Sequence, residues 1–84
     1  MADLKARFDQ AMADSKSLPE KPDTMTLLKI YALYKQASRG NADGERPGFA
    51  DMVGRAKWDA WNGLNGKSSD DAMQEYIDLI ESLK

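Results

Sequence analysis

Hydrophobic residues recur every three or four positions in four separate segments of this 84-residue chain. This is the spacing of one face of an α-helix, and it predicts helices over residues 4–17, 24–39, 51–64 and 68–84. No segment shows the strict alternation of a half-buried strand, and there is no internal repeat. The pattern therefore predicts an all-α fold, in which four helices pack their apolar faces together as a bundle.

Helix-breaking and capping residues separate these segments. The two prolines in residues 18–22 end the first helix, because proline lacks an amide donor and disfavours helix in the residue before it. Asp23 or Thr24 can cap the second helix by accepting hydrogen bonds from its first amides. Gly40 stands where a C-terminal cap is expected and opens the longest connection. Ser68 opens the fourth helix in the manner of a capping box.

The second predicted helix carries the residues on which a functional interpretation depends. Positions three and four apart are neighbours on a helix surface, so Tyr31, Tyr34 and Lys35 are expected to share one patch. The stripe that faces the core is formed by Ile30, Leu33 and Ala37. Two amphipathic aromatics and a cation outside the core offer ring faces for stacking and donors for an anion.

The third predicted helix supplies a second cation. Its apolar side consists of Val53, Ala56, Ala60, Trp61 and Leu64, and Lys57 interrupts this stripe. A lysine in such a position either lays its stem along apolar surface with its head in water, or reaches an anion held at the helix margin.

Composition indicates one globular domain, which we place at residues 1–84. The chain has 42% hydrophobic and 31% charged residues, as expected for a folded protein. The formal net charge of -2 argues against a general nucleic-acid binder. Local charge is uneven, because the second helix region is basic and the last segment is acidic.

Cysteine and histidine are both absent. Their absence removes disulfides, thiolate nucleophiles, the usual zinc ligands and the histidine-dependent catalytic arrangements. We therefore expect no catalytic residue and no metal site. No apolar run approaches the roughly 20 residues that span a bilayer, and the N-terminus lacks the apolar core of a secretory signal. A cytoplasmic protein without stable membrane insertion is expected.

Four strings, in order and at compatible spacing, carry a resemblance to a known family. They are IYALYKQA at 30–37, ERPG at 45–48, AKWDAW at 56–61 and DAMQEYI at 71–77. The chain resembles the acyl-CoA-binding protein family over essentially its whole length.

The resemblance implies a fold, a ligand and a role. The fold would be an up-down-down-up four-helix bundle, and the ligand a medium- to long-chain fatty acyl-CoA ester held non-covalently. The protein would act as a carrier and pool former, without a cofactor. We expect a monomer that binds no nucleic acid and makes transient contact with acyl-CoA-using enzymes.

The resemblance also assigns site residues. In the family, a tyrosine and lysine cluster on the second helix and a lysine on the third hold the adenosine 3′-phosphate. Those positions are Tyr31, Tyr34, Lys35 and Lys57. A tyrosine on the fourth helix falls on Tyr76, and first-helix positions fall on Phe8, Met12 and Lys16.

The chemistry of acyl-CoA agrees with this assignment, because the ligand is aromatic, polyanionic and apolar at once. Tyr31 or Tyr34 can stack on adenine, while Lys35 and Lys57 can donate to phosphate. We expect the groove for the acyl chain to be lined by Leu27, Leu28, Met12 and Met25.

Two positions depart from the usual family pattern. Asn41 stands where an aspartate is common, a change from which we expect little effect. Met12 replaces a small residue, so it can narrow the groove or add a contact with the acyl chain. The preferred length of the ligand's acyl chain is therefore left open by the sequence.

Other interpretations stay open at this point. The tyrosines and lysines can form a solvated face, and Trp58 and Trp61 are expected to be structural. Tyr76 and Phe8 fit a core contact as well as a ligand contact, and Lys16 fits an ordinary exposed lysine.

Other classes of protein also compete with the carrier. A helical protein-interaction module without a small-molecule ligand would account for an apolar helix face. A single-strand nucleic-acid binder would need a longer basic track. An enzyme would have to rely on carboxylates.

Overall fold

A computed structural model describes residues 3–84 as four α-helices. They are α1 (Leu4–Asp14), α2 (Thr24–Arg39), α3 (Met52–Asn62) and α4 (Ser69–Ser82). Ser15–Ser17 form a short 3₁₀ turn after α1. No strand occurs within residues 3–84, so the predicted all-α class is confirmed.

The helix boundaries differ from the predicted ones by a few residues. The first helix ends three residues early because its last turn tightens into the 3₁₀ geometry that is common at helix ends. The third helix starts at Met52 and ends at Asn62, because Asp51 is its N-cap and Gly63 its C-cap. In α3 the apolar periodicity continues past the end of the helix, to Leu64.

Each α-helix is preceded by a residue whose side chain accepts a hydrogen bond from a backbone amide at the start of the helix. Asp23, rather than Thr24, caps α2, with Oδ1 2.8 Å from the amide nitrogen of Thr26. The hydrogen bond from that amide lowers the pKa of Asp23. Three other caps satisfy amides that would lack partners inside the helix. They are Asp3 on α1, Asp51 on α3 and Ser68 on α4.

The hydrophobic core joins α1, α2 and α4. Its members are Phe8, Ala11, Leu33, Ala37, Ala72, Tyr76, Ile77 and Ile80. The predicted core stripe of α2 is confirmed at Leu33 and Ala37, which are buried, while Ile30 is half-buried and packs against the same cluster. Because α2 contacts α4 on one side and α3 on another, it connects the core to the third helix.

The long connection between α2 and α3 is held against α3 by side chains. Arg46 makes two hydrogen bonds to the Asp59 carboxylate, at 2.8 and 2.7 Å. The indoles of Trp58 and Trp61 donate to the backbone oxygens of Asp43 and Gly40. The structural role expected for both tryptophans is thereby confirmed, and Trp61 is only 5% exposed.

Candidate functional site

Two helices bring a lysine and an aromatic ring to the same place. Tyr31 and Lys35 are one helical turn apart on α2, and Lys57 and Trp61 are one turn apart on α3. The Lys57 Nζ lies 5.4 Å from the Tyr31 ring centroid. The Lys35 Nζ lies 5.9 Å from the Tyr31 centroid and 5.1 Å from the Trp61 centroid. We call these four residues the lysine–aromatic cluster.

The cluster has an excess of positive charge. Neither Lys35 nor Lys57 forms a salt bridge with a carboxylate among residues 3–84. Tyr31 and Lys35 are half-buried and Lys57 is exposed, so the ammonium groups remain open to a ligand. Ring faces stabilise nearby cations, but they do not neutralise them. The cluster is therefore suited to a group that is both anionic and flat.

An apolar groove borders the cluster between α2 and α3. Its volume is about 450 Å³, and it is lined by Met25, Thr26, Leu28, Lys29, Ala32, Ala60 and Leu64. Leu28 lies three positions before Tyr31 on α2, and Ala60 lies three positions after Lys57 on α3, so the groove runs alongside the lysine–aromatic cluster. A ligand with an anionic head and an apolar tail can occupy both at once.

The groove contains only part of the lining expected from the sequence. Leu28 and Met25 line it, whereas Leu27 and Met12 lie outside it, so the ligand contacts expected for Leu27 and Met12 stay predictions. The side chain of Leu27 points about 100° around α2 from that of Leu28, so the two do not share a face, and Leu27 is 39% exposed. Met12 is half-buried on α1 and packs against the main core.

Sequence reasoning missed five of the lining residues. They are Thr26, Lys29, Ala32, Ala60 and Leu64. Ala60 and Leu64 belong to the apolar stripe of α3, which the sequence could not distinguish from a core stripe. Only the packing of α3 on α2 shows that Ala60 and Leu64 face an open groove, while Val53 of the same stripe is 66% exposed.

Tyr34 lies in a different environment from Tyr31. Its ring is stacked on Phe8 of α1, with centroids 6.5 Å apart and planes 21° apart. Phe8 in turn meets the Tyr76 ring edge-on at 5.1 Å. Phe8 and Tyr76 are 2% and 3% exposed, which places them in the core, while Tyr34 is 41% exposed. Tyr34 thus presents the open end of an aromatic row that begins inside the bundle.

Lys16 lies in the 3₁₀ turn after α1 and is exposed. Its position fits the ordinary surface lysine that the sequence also allowed. The ligand contacts expected for Lys16, Met12, Phe8 and Tyr76 stay predictions.

Two features that would indicate other functions are missing from the described part of the chain. Within residues 3–84, no group of three or more acidic, histidine or cysteine side chains could hold a metal ion. Over the same residues, no helix has both the length and the apolar character needed to cross a membrane.

The fold and the site together define a small helical binding protein with a cationic, aromatic patch beside an apolar groove. Residues 5–80 match the family model described as acyl CoA binding protein. The chain therefore belongs to the acyl-CoA-binding protein family, as its sequence strings predicted.

Individual relatives agree with this membership. The chain is 49% identical over 76 residues to the acyl-CoA-binding protein of Saccharomyces cerevisiae, covering 90% of this chain and 87% of the relative. It is 48% identical over 77 residues to the acyl-CoA-binding protein homolog of Drosophila melanogaster, covering 92% and 90%. The crystal structure of Oryza sativa Acyl-CoA-Binding Protein 2 superposes with a TM-score of 0.91 at 38% identity, covering 95% of this chain and 87% of that one. The predicted family fold is confirmed.

Proposed function

We propose that this protein binds medium- to long-chain fatty acyl-CoA esters non-covalently and serves as their carrier and pool former. The observation that carries the proposal is the convergence of Lys35 and Lys57, from separate helices, on the Tyr31 ring beside an apolar groove. Family membership supports the same ligand. A helical protein-interaction module without a ligand is not favoured, because it would not require this convergence.

The ligand can be divided among the parts of the site by chemistry. The ammonium groups of Lys35 and Lys57 donate charge-assisted hydrogen bonds to the 3′-phosphate. Tyr31 and the exposed ring of Tyr34 offer faces on which adenine can stack. The acyl chain lies in the groove, where Leu28, Ala60 and Leu64 exclude it from water.

The proposal describes a carrier that performs no reaction. The chain has no histidine or cysteine, and the roles assigned to the ligand require no cofactor. We place the protein in the cytoplasm as a monomer that passes its ligand to acyl-CoA-using enzymes by transient contact. Non-covalent binding keeps that transfer reversible.

Isothermal titration calorimetry tests the proposal with palmitoyl-CoA, free CoA and palmitate. Palmitoyl-CoA should bind far more tightly than either fragment, because it alone engages the cluster and the groove together. Equal affinity for palmitate and palmitoyl-CoA would contradict the proposal. The absence of a binding heat with both palmitoyl-CoA and CoA would also contradict the proposal.

A further inference from the structure

Residues 40–43, which follow α2, are hydrogen-bonded both to α3 and to the turn after it. The Trp61 Nε1 donates to the Gly40 oxygen at 2.7 Å, and the Trp58 Nε1 donates to the Asp43 oxygen at 3.2 Å. The amide of Ala42 donates to the Asn65 side chain at 3.2 Å. The segment is thus a clamp that holds α3 against the C-terminal end of α2.

A polar pair, buried Gln36 and exposed Asn41, secures this clamp. Gln36 lies on the last turns of α2 and is 0% exposed. Its Nε2 donates to the Asn41 Oδ1 at 3.0 Å and to the Lys67 backbone oxygen at 2.8 Å. The Asn41 Oδ1 also accepts from the Gly66 amide at 2.8 Å. One side-chain oxygen therefore joins α2 to the turn that follows α3.

The clamp ends at the lysine–aromatic cluster. Trp61 uses its indole nitrogen to bind Gly40 and its ring to contact the Lys35 ammonium. Lys57 lies one turn before Trp61 on the same helix. A shift of α3 relative to α2 would therefore move Lys57 and the Trp61 ring away from Tyr31 and Lys35 together.

We propose that Asn41, paired with buried Gln36, is a positioning residue that holds the lysine–aromatic cluster in the geometry that recognises the 3′-phosphate of the ligand. The inference rests on the proposed function. The side chains of Asn41 and Gln36 act on the cluster only through other residues. Both hydrogen bonds to Asn41 require an acceptor oxygen and nothing else, so an aspartate meets the same requirement whereas an alanine does not.

The test compares Asn41→Ala with the conservative variant Asn41→Asp. Calorimetry gives the dissociation constants for palmitoyl-CoA and palmitoyl-3′-dephospho-CoA. The constant for the dephospho ligand divided by that for palmitoyl-CoA is the ratio that measures recognition of the 3′-phosphate. In Asn41→Ala we expect this ratio to fall roughly three- to tenfold, which corresponds to the partial loss of a charged hydrogen bond. In Asn41→Asp the ratio should stay within about twofold of the wild type.

The hydrogen-exchange rate of the Trp61 indole N–H, measured without ligand, reports whether the clamp still holds α3 in place. We expect faster exchange in Asn41→Ala than in Asn41→Asp or the wild type. Ile80→Val is the control for lost stability, because Ile80 is fully buried in the core and belongs to neither the clamp nor the cluster. It should lower the melting temperature and leave the ratio and the indole exchange unchanged.

Three results would overturn the inference. They are an unchanged ratio in folded Asn41→Ala, an equal fall in Asn41→Asp, or an equal fall in Ile80→Val. Failure of the proposed function shows in the wild type itself, as absence of palmitoyl-CoA binding, and is therefore distinguished before any variant is measured.

Discussion

The ammonium group of Lys57 on α3 lies 5.4 Å from the centroid of the Tyr31 ring on α2. Lys35 approaches the same ring, at 5.9 Å. Two like charges near one ring repel each other, and no carboxylate within residues 3–84 forms a salt bridge with either. A bound phosphate would remove that repulsion, so the free energy of ligand binding should depend strongly on both lysines.

Lys35→Ala should weaken palmitoyl-CoA binding by about tenfold or more, because a charge-assisted hydrogen bond to phosphate is lost. Binding of the 3′-dephospho ligand should fall much less. Calorimetry with both ligands makes the comparison. Lys21→Ala, an exposed lysine in the linker before α2, should leave both affinities unchanged. An equal loss for the two ligands in Lys35→Ala would argue against phosphate contact.

Ala60→Leu should reduce the greatest length of acyl chain that the groove can hold. Ala60 lines the groove, so a larger side chain there would occupy volume intended for the ligand tail. In the wild type, affinity should rise with chain length by about 0.8 kcal/mol per buried methylene before losses. In Ala60→Leu the rise should stop at a shorter chain.

A titration of intrinsic tryptophan fluorescence with octanoyl-, dodecanoyl- and palmitoyl-CoA measures this dependence. Ala13→Leu provides the matched control, since Ala13 is exposed on α1 and lies outside the groove. The groove assignment fails if Ala60→Leu weakens the three ligands by the same factor.

Ligand should raise the melting temperature, because only the folded chain presents the cluster and the groove together. At a free ligand concentration one hundred times the dissociation constant, the gain in unfolding free energy is about 2.7 kcal/mol. Thermal unfolding followed by circular dichroism, with increasing palmitoyl-CoA, gives the shift. The double variant Lys35→Ala, Lys57→Ala should show a smaller shift at the same concentration. An unchanged melt at saturating ligand would count against the site.

Acid should weaken the attachment of the α2–α3 connection to α3. Hydrogen bonds from Arg46, with a smaller Coulombic contribution, lower the pKa of Asp59 below its ordinary value. A carboxyl whose pKa is lower in the folded state stabilises that state above its unfolded pKa, which is about 3.9 for aspartate. This contribution is lost as the pH falls from there through the folded pKa.

Melting temperatures at pH 6 and at lower pH, down to about 2.5, test this expectation against the range in which aspartate titrates. Asp59→Asn should lose less stability over that interval than the wild type, because it no longer titrates. Other carboxyls with lowered pKa, including Asp14 and Asp23, remain in both proteins and cancel in the comparison. If the melting temperatures of the two proteins depend on pH in the same way, the ion pair of Arg46 and Asp59 is not coupled to folding.

The local features of the fold could be predicted from the sequence because they depend on neighbours along the chain. Asp23 and Ser68 are caps since their oxygens reach amides three residues later. Leu33 and Ala37 were recognised as core since they lie four positions apart on one helix face. Helix ends were less predictable, because apolar spacing does not reveal whether the last turn is α or 3₁₀.

The candidate site was only partly predictable. Tyr31 and Lys35 could be paired from their spacing on one helix. Lys57 was noticed because it interrupts an apolar stripe, and family resemblance placed it in the same site. The stacking of Tyr34 on Phe8 was not predictable, because Phe8 lies on another helix and is distant in sequence. The position of Leu27 outside the groove was not predictable either, since the direction in which α3 packs decides which side of α2 borders the groove.

By itself, the sequence determined four amphipathic helices, the absence of histidine and cysteine chemistry, and the family, because each follows from residue types and short spacings. Tertiary structure alone decided that α3 carries Lys57 to the ring of Tyr31, that Ala60 faces a groove, and that Gln36 joins α2 to the turn after α3. These relationships join residues 26 to 31 positions apart in the chain or depend on how two helices cross, and such contacts are set by packing between helices rather than by periodicity along one of them.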